Sequence, residues 1–343
     1  MKTFQQVPLQ QIDVSDETFS VNFMPDLGSL RSSIKEIGLI EPVVLKKKSQ
    51  GYQIVCGFRR VWLTLESGIP TIDARVFGEK EVDDIRLFSI SLHENATSRG
   101  FNTVETALAL DKLVHHFQIP PSSVIDTFLP LFSLETNEKI LNTYLSLARM
   151  EEDVKRFVVQ EKVSRSNIRR FSSLTSEDRT AVLSLVSSLR LGENSLRETL
   201  TLLEEISPRE QQTIREIIDR PEIQTILSHD EFTPSQRTER VKKVLTNLRY
   251  PRMHRLEETF DEKRKAFRLP AGLSVHHHPY FEGRGLRMEL HVESIEKLRS
   301  FIASLLALVE KKEFKEMLID INVAKQTETD VAGTLKKPCS GTF

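Results

Sequence analysis

Two adjacent arginines, Arg59 and Arg60, follow a glycine in the stretch YQIVCGFRRVWL. The residues before Gly57 are β-branched or aromatic and predict a strand, and residues 59–66 predict a helix. The first amide groups of a helix lack internal acceptors and carry partial positive charge, and the planar fork of arginine matches phosphate oxygens. The spacing therefore predicts an anion site, with phosphate as the natural ligand. Pairing of both arginines with surface carboxylates is the alternative.

The elements around this junction predict a small mixed α/β unit. Alternating and β-branched residues indicate strands at 42–45, 52–55 and 71–76. Helical patterns cover 29–37, closed by Gly38, and 83–93, with acidic residues at its start. Trp62 and Leu65 are expected to lie in the core against the sheet.

Four sequence blocks, in this order, resemble the amino-terminal domain of ParB-type chromosome and plasmid partition proteins, a fold shared with sulfiredoxin. They are SIKEIGLIEPVVL, YQIVCGFRR, GIPTIDARVF and ENATSRGFN, and the resemblance covers about residues 5–172. It implies that the domain binds CTP, with or without Mg²⁺. The implied cofactor-binding residues are Gly57, Phe58, Arg59, Arg60, Glu94, Asn95 and Arg99.

Two positions depart from the family pattern. Phe58 stands where the family usually places an acidic residue, and a phenyl ring cannot accept a proton or orient water by hydrogen bonding. The arginine expected three residues after Asn95 is Ser98, and Arg99 follows one place later. We therefore expect at most a slow CTPase, with Glu94 as the candidate catalytic residue, and no nuclease activity. Sulfiredoxin uses a cysteine immediately after the glycine of its motif, whereas Cys56 here precedes Gly57. The thiol chemistry of sulfiredoxin is therefore not expected in this chain.

A helix-turn-helix is predicted after Pro120-Pro121, with Pro130 interrupting its first helix and residues 136–149 forming the second. The ParB resemblance supports a DNA-binding role at this position, and an ordinary helical pair is the alternative. A basic segment follows at 155–170, which suits contacts with the phosphate backbone unless it is simply a solvated face. The candidate DNA-binding residues are Thr136, Asn137, Lys139, Asn142, Thr143, Lys162, Arg165, Arg169 and Arg170.

The whole chain has 343 residues and a formal net charge of −1, so a DNA-binding surface must be a local basic patch. No apolar run approaches the roughly 20 residues that cross a bilayer, and the two cysteines have no metal or disulfide spacing. His276, His277 and His278 lack partner ligands in the sequence, so no metal site is predicted. A cytoplasmic, nucleoid-associated protein is expected.

The predicted fold class is α+β with several domains. These are a ParB/sulfiredoxin-like domain (1–102), an all-α helix-turn-helix domain (103–172), a helical region (173–265), a β-hairpin with a helix (266–320) and a disordered tail (321–343). Double-stranded DNA, a Walker-type partition ATPase and a second copy of the chain are the expected partners. The alternatives are a transcription regulator that lacks a nucleotide switch and a nucleotide-dependent enzyme on the same scaffold.

Overall fold

The computed structural model describes residues 3–278 and 285–319. The chain divides into two compact units, residues 1–207 with 211–238, and residues 208–210 with 239–343. The fold is α+β, as predicted. The predicted boundaries at 102 and 172 both lie inside the first unit and remain predictions. The predicted tail at 321–343 lies outside the described residues.

The first unit begins with a five-stranded mixed sheet. Its strands are β1 (Thr3–Pro8), β2 (Ile12–Asp13), β3 (Val43–Lys47), β4 (Tyr52–Cys56) and β5 (Thr71–Phe77). They lie in the order β1-β5-β3-β4-β2, with β3 antiparallel to β4 and parallel to β5. Val43, Leu45, Ile54 and Val55 have no exposed surface, and burial of each such side chain contributes about 1.5–3 kcal/mol. The apolar strands therefore fix the sheet that carries the glycine-arginine junction.

Three helices pack around this sheet: α1 (Gly28–Ile37), α2 (Phe58–Glu66) and α3 (Asp84–Ser98). The first ends at Gly38, whose φ is 78°, as the sequence predicted. The second buries Val61 and Leu63, whereas Leu65 in its last turn is 40% exposed, so the prediction that Leu65 belongs to the core is wrong. The third continues beyond the predicted end at residue 93.

The rest of the first unit is helical. Helix α4 (Thr103–Asp111) continues into a π turn (Lys112–His116), and α4 packs against α6 and α7 of the following series. Pro130 lies in a short 3-10 helix after α5, and Ser133 at φ 56° supplies the left-handed turn that a glycine often provides. The helices are α5 (Pro121–Thr127), α6 (Glu138–Ala148), α7 (Glu152–Gln160), α8 (Arg165–Ser173), α9 (Ser176–Leu189), α10 (Glu193–Glu210), α11 (Ile214–Ile218), α12 (Pro221–Leu227) and α13 (Pro234–Arg249). Residues 208–210 of α10 and 239–249 of α13 belong to the second unit.

The second unit contains the predicted hairpin and helix. Its elements are α14 (Pro251–Ala266), β6 (Leu273–His277), β7 (Leu286–Leu290) and α15 (Ile295–Glu310). The two strands pair antiparallel, with Val275 opposite Met288. A core of Phe260, Phe267, Val275, Leu308, Phe314 and Met317 holds the unit together. No described helix is long and apolar enough to cross a membrane.

Candidate functional site

A cavity of about 450 Å³ opens where β4 meets α2. Residues from α1, α2, α3 and the segment before α1 line it. All seven residues proposed from the sequence as cofactor-binding lie around this cavity: Gly57, Phe58, Arg59, Arg60, Glu94, Asn95 and Arg99. The fold thus gathers residues that are up to 42 positions apart in sequence (99 − 57) into one concave site.

Gly57 forms the turn between β4 and α2 and caps the amino end of that helix with φ 98°. A Cβ at this position would lie 2.8 Å from Cγ1 of Val43 and 3.2 Å from Nε of Arg60. Both the backbone conformation and the close approach therefore require glycine. A larger residue here would press on Val43 and on the side chain of Arg60.

Arg60 is held on two sides. Its NH1 donates to the carbonyl oxygens of Glu41 and Pro42 at 3.1 and 3.2 Å, and its NH2 donates to Oε1 of Glu94 at 2.7 Å. The side chain is only 13% exposed. Because one amino group is bonded to the loop before β3 and the other to α3, the guanidinium has a defined position at the cavity.

Arg59 is bonded to groups that the sequence analysis did not identify. Its Nε donates to Oδ1 of Asn22 at 2.8 Å, and its NH2 donates to Oε1 of Glu105 at 2.6 Å. Burial, and then the positive charge of Arg99, lowers the pKa of the Arg59 guanidinium, while Glu105 opposes that shift. Arg59 therefore depends on a carboxylate from the first turn of α4.

Glu105 is the common partner of two cavity arginines and has 1% of its side chain exposed. Its Oε2 accepts from NH1 of Arg99 at 2.7 Å and from the amide of Asn102 at 3.2 Å. Its Oε1 also accepts from the amide of Phe23 at 3.3 Å. The pattern of Asn102 followed three residues later by Glu105 is a capping box, which was the available signal for this residue.

Arg99 reaches the cavity from the end of α3. Its Nε donates to Oδ1 of Asn95 at 2.8 Å, and its side chain is 22% exposed. The one-place shift of this arginine relative to the family pattern therefore still brings its guanidinium to the cavity. Ser98 lines the same wall.

Glu94 lies between Arg60 and the buried thiol of Cys56. The thiol donates to Oε2 of Glu94 at 2.8 Å. Burial, and then the negative charge of Glu94, raises the pKa of Cys56 to about 12, so the thiol stays protonated at neutral pH. A protonated thiol can donate to Glu94 and is a poor nucleophile.

Phe58 lines the cavity but is only 5% exposed, and its ring meets that of Trp62 edge to face at a centroid distance of 6.3 Å. Phe58 therefore belongs to the packed interior beside Trp62 and also borders the site. Its phenyl group offers neither a carboxylate nor a hydroxyl to a ligand.

The cavity arginines are balanced by carboxylates. Arg59 and Arg99 face Glu105, and Arg60 faces Glu94 and, at 3.6 Å, Glu41. An arginine retains further N–H donors when one carboxylate is bound. An anionic ligand can thus bind to the remaining arginine donors, or replace a carboxylate as the partner of an arginine.

The helix predicted for DNA recognition is α6, and its buried face consists of Leu141, Tyr144 and Leu147. Of the five predicted contact residues, Thr136, Asn137, Lys139 and Asn142 are exposed and Thr143 is half-buried. Two of them also serve the helix itself. Oδ1 of Asn137 accepts from the Lys139 amide at 2.7 Å as the amino-terminal cap, and Oγ1 of Thr143 donates to the Lys139 carbonyl at 2.8 Å.

The basic segment near α8 contains two kinds of arginine. Arg165 and Arg169, like Lys162, are exposed. Arg170 instead bonds to α10, where its NH1 donates to the carbonyl of Arg197 at 3.0 Å and to Oγ1 of Thr201 at 2.7 Å. The exposed side chains are available to an external anion, whereas Arg170 joins two helices.

No metal cluster is evident in residues 3–278 and 285–319, which contain no group of three or more His, Cys, Asp or Glu side chains able to hold an ion. Nε2 of His276 lies 2.9 Å from Oγ of Ser274, and the ring of His277 packs against the ring of Phe260.

The fold and site define a mixed α/β domain with an arginine-lined cavity, followed by a helical region. Residues 1–96 match the family described as the ParB N-terminal domain. The relatives of the chain include chromosome-partitioning proteins, so its amino-terminal region is similar to that of ParB-type proteins.

Three relatives illustrate the extent of similarity. The chain is 27% identical over 148 residues to "Nucleoid occlusion protein" of Halalkalibacterium halodurans, covering 43% of this chain and 49% of that protein. It is 25% identical over 178 residues to "Probable chromosome-partitioning protein ParB" of Vibrio cholerae, covering 52% and 57%. It is 23% identical over 217 residues to "Stage 0 sporulation protein J" of Bacillus subtilis, covering 58% and 74%. The chain thus spans about half the length of the first two relatives.

Two solved structures of C-terminally truncated ParB from Caulobacter crescentus are also similar in part. One is complexed with CTP-gamma-S, at 20% identity and TM-score 0.25, covering 54% of this chain and 98% of that one. The other is complexed to the centromeric parS site, at 17% identity and TM-score 0.35, covering 58% and 97%.

Proposed function

We propose that this chain is a ParB-type DNA-binding protein that acts in chromosome or plasmid partition and carries a CTP-binding switch in its amino-terminal domain. The observation that carries the proposal is the convergence of Arg59, Arg60 and Arg99 on one cavity beside the amino end of α2. Guanidinium groups and a helix amino end together favour a polyphosphate. The ParB resemblance of the same residues selects the cytidine nucleotide.

Glu94 is the carboxylate that fits a role beside Mg²⁺. Magnesium in nucleotide sites is usually held by one or two carboxylates together with substrate phosphates. Glu94 lies at the cavity, and its oxygens are bonded to Arg60 and Cys56. Bound Mg²⁺ would reduce the negative charge of the phosphates. Glu94 and Asn95 would then be its protein-side neighbours.

Duplex DNA is proposed to bind along α6 and the basic segment near α8. Exposed Lys139 and Asn142 suit base edges in a major groove, and exposed Arg165 and Arg169 suit phosphates. A Walker-type ATPase and a second copy of the chain are the proposed protein partners. A cytoplasmic location at the nucleoid follows from this role.

Calorimetric titration with CTP and Mg²⁺ tests the nucleotide site. Arg60→Ala should weaken binding at least about tenfold, because each charge-assisted bond is worth roughly 1.5–3 kcal/mol. Arg31→Ala is the matched control, since Arg31 lies on α1, is 52% exposed and pairs with Glu66 outside the cavity. Thermal melting of both variants without nucleotide checks the fold.

The outcomes separate the proposed function from its alternatives. Absence of CTP binding by the wild type, with intact DNA binding, would favour a transcription regulator without a nucleotide switch. CTP binding without DNA binding would favour an enzyme on the same scaffold. Equal CTP affinity in wild type and Arg60→Ala would show that the nucleotide does not bind through Arg60 in this cavity.

A further inference from the structure

Lys112 is half-buried, and its amine faces a group of main-chain carbonyl oxygens. Its Nζ donates to the carbonyl oxygens of Thr18 at 3.3 Å and Ser20 at 2.7 Å, and also to that of Glu17. Burying an ammonium group is costly unless several acceptors replace water. Three convergent carbonyls satisfy that requirement and give the segment at 17–20 a fixed conformation.

The same segment is fixed from its other side by aromatic packing. Phe19 has 1% of its surface exposed, and its ring lies 6.3 Å from Phe117 and 6.5 Å from Phe88. Phe117 follows the π turn that begins at Lys112, and its amide donates to the Lys112 carbonyl at 2.8 Å. Such π turns often occur at functional sites. One turn of helix therefore supplies both the cation and the ring that hold this segment.

The held segment forms part of the cavity wall. Phe19, Val21 and Asn22 line the cavity. Asn22 in turn accepts from Nε of Arg59 at 2.8 Å. A continuous path of bonded groups thus runs from Lys112, through the main chain at 17–22, to an arginine proposed to bind phosphate.

We propose that Lys112 is a positioning residue of the nucleotide cavity, which sets the place of residues 17–22 and through Asn22 the orientation of Arg59. This inference rests on the proposed function. Lys112 does not line the cavity and is not expected to touch the nucleotide. Its burial also lowers the pKa of its amine, because desolvation outweighs the favourable charge of Glu17.

The test compares Lys112→Met, which keeps an unbranched apolar side chain but removes the donors, with Lys112→Arg, which restores donors. Lys80→Met is the control, because Lys80 is exposed on a distant turn of the same domain. Two measurements are made on the full chain: CTP affinity by calorimetry and hydrogen exchange of residues 17–23 without nucleotide.

Lys112→Met should weaken CTP binding about tenfold and speed exchange in residues 17–23, since it loses charge-assisted hydrogen bonds. Lys112→Arg should recover most of both properties, and Lys80→Met should match the wild type. A general loss of stability would instead raise exchange throughout the domain and would not be rescued by arginine. That result would overturn the inference.

Wild-type affinity in Lys112→Met would refute the positioning role while leaving the proposed function intact. A wild-type protein that does not bind CTP would refute the proposed function and, with it, any role of Lys112 at a nucleotide site. The two failures are therefore distinguishable.

Discussion

At the scale of single residues, the cavity is defined by arginines whose positions are set by carboxylates. Breaking a buried ion pair by removing one partner typically costs about 3–5 kcal/mol. Glu105 has two such partners, so Arg59→Ala would leave Arg99 as its remaining cation. Arg60, whose partner Glu94 is 29% exposed, is the better position to test ligand binding separately from stability.

Hydrolysis of bound nucleotide is the second residue-scale question. Phe58 provides no proton acceptor beside the proposed phosphates, so we expect the wild type to bind CTP but release phosphate very slowly or not at all. Phosphate release at saturating CTP with cognate DNA measures this. Brisk release by the wild type that disappears in Glu94→Gln would contradict the expectation and assign the chemistry to Glu94.

Phe58→Glu is the complementary variant, and a gain of phosphate release would support the role of this position. The structure adds a condition that the sequence did not reveal. Because Phe58 is 5% exposed and packs on Trp62, a glutamate there would be largely buried and would reduce stability. Melting temperature must therefore be measured beside turnover, with Phe58→Leu as an apolar control.

At the scale of helices, the amino end of α7 and helix α9 are joined by a pH-sensitive pair. Arg179 donates to Glu151 from Nε and NH2, each at 2.8 Å, and Ser176 adds a bond at 2.6 Å. Chiefly through the Arg179 bonds, the pKa of Glu151 falls from 4.5 to about 2. A lowered folded-state pKa stabilises the protein above the unfolded value, and this contribution is lost as pH falls from 4.5 to about 2.

Glu151→Gln should therefore lower the free energy of unfolding at pH 7 by about 1 kcal/mol, a modest value because the pair is partly exposed. The difference from wild type should shrink as pH approaches 2. Urea denaturation across this range measures it, with exposed Glu161→Gln as the control. A constant difference at every pH would show that the carboxylate charge is not responsible.

Recognition and phosphate contact should separate between α6 and α8. Arg169→Ala should weaken binding to all duplexes and reduce the log–log salt slope by about 0.9 per lost phosphate contact. Asn142→Ala should instead change sequence preference. Titration of specific and unrelated duplexes over a range of salt distinguishes the two effects; equal losses on every sequence would remove the proposed division.

Two of the predicted DNA-contact residues also have structural contacts within the protein. Asn137 caps α6, so its replacement would cost about 1 kcal/mol of helix stability before any effect on DNA. Arg170 bonds to α10, so Arg170→Ala is expected to lower stability as well as change charge. These two positions, predicted from sequence alongside Asn142 and Arg169, are therefore less suitable for measuring DNA contacts.

Local patterns in the sequence were sufficient for much of this architecture. The apolar run before Gly57, the glycine itself and the pattern of residues 59–66 correctly predicted a strand, a turn and a helix. Asn22 and Glu105 were missed because their contacts join segments up to 82 residues apart. The capping box indicated a role for Glu105 at the start of a helix. The local sequence pattern does not show that its carboxylate also pairs with Arg59 and Arg99.

At the scale of the whole molecule, the expected homodimer has a candidate contact surface on α15. Ile295, Leu298, Ile302, Leu306 and Val309 recur at intervals of three and four residues and are 37–68% exposed. On the other face of the helix, Phe301 and Leu308 are buried within its own unit. A helix with a second apolar stripe can pair with an identical stripe related by a two-fold axis.

We therefore predict that a second copy of the chain covers this stripe in solution. Ile302→Glu combined with Leu306→Glu should convert the dimer to a monomer, because it would place two carboxylates in an apolar contact. Ala307→Glu is the matched control, since this exposed residue lies on another side of the same helix. Sedimentation equilibrium measures the mass of each protein. A monomeric wild type, or a double variant that retains the dimer mass, would exclude α15 as the contact surface.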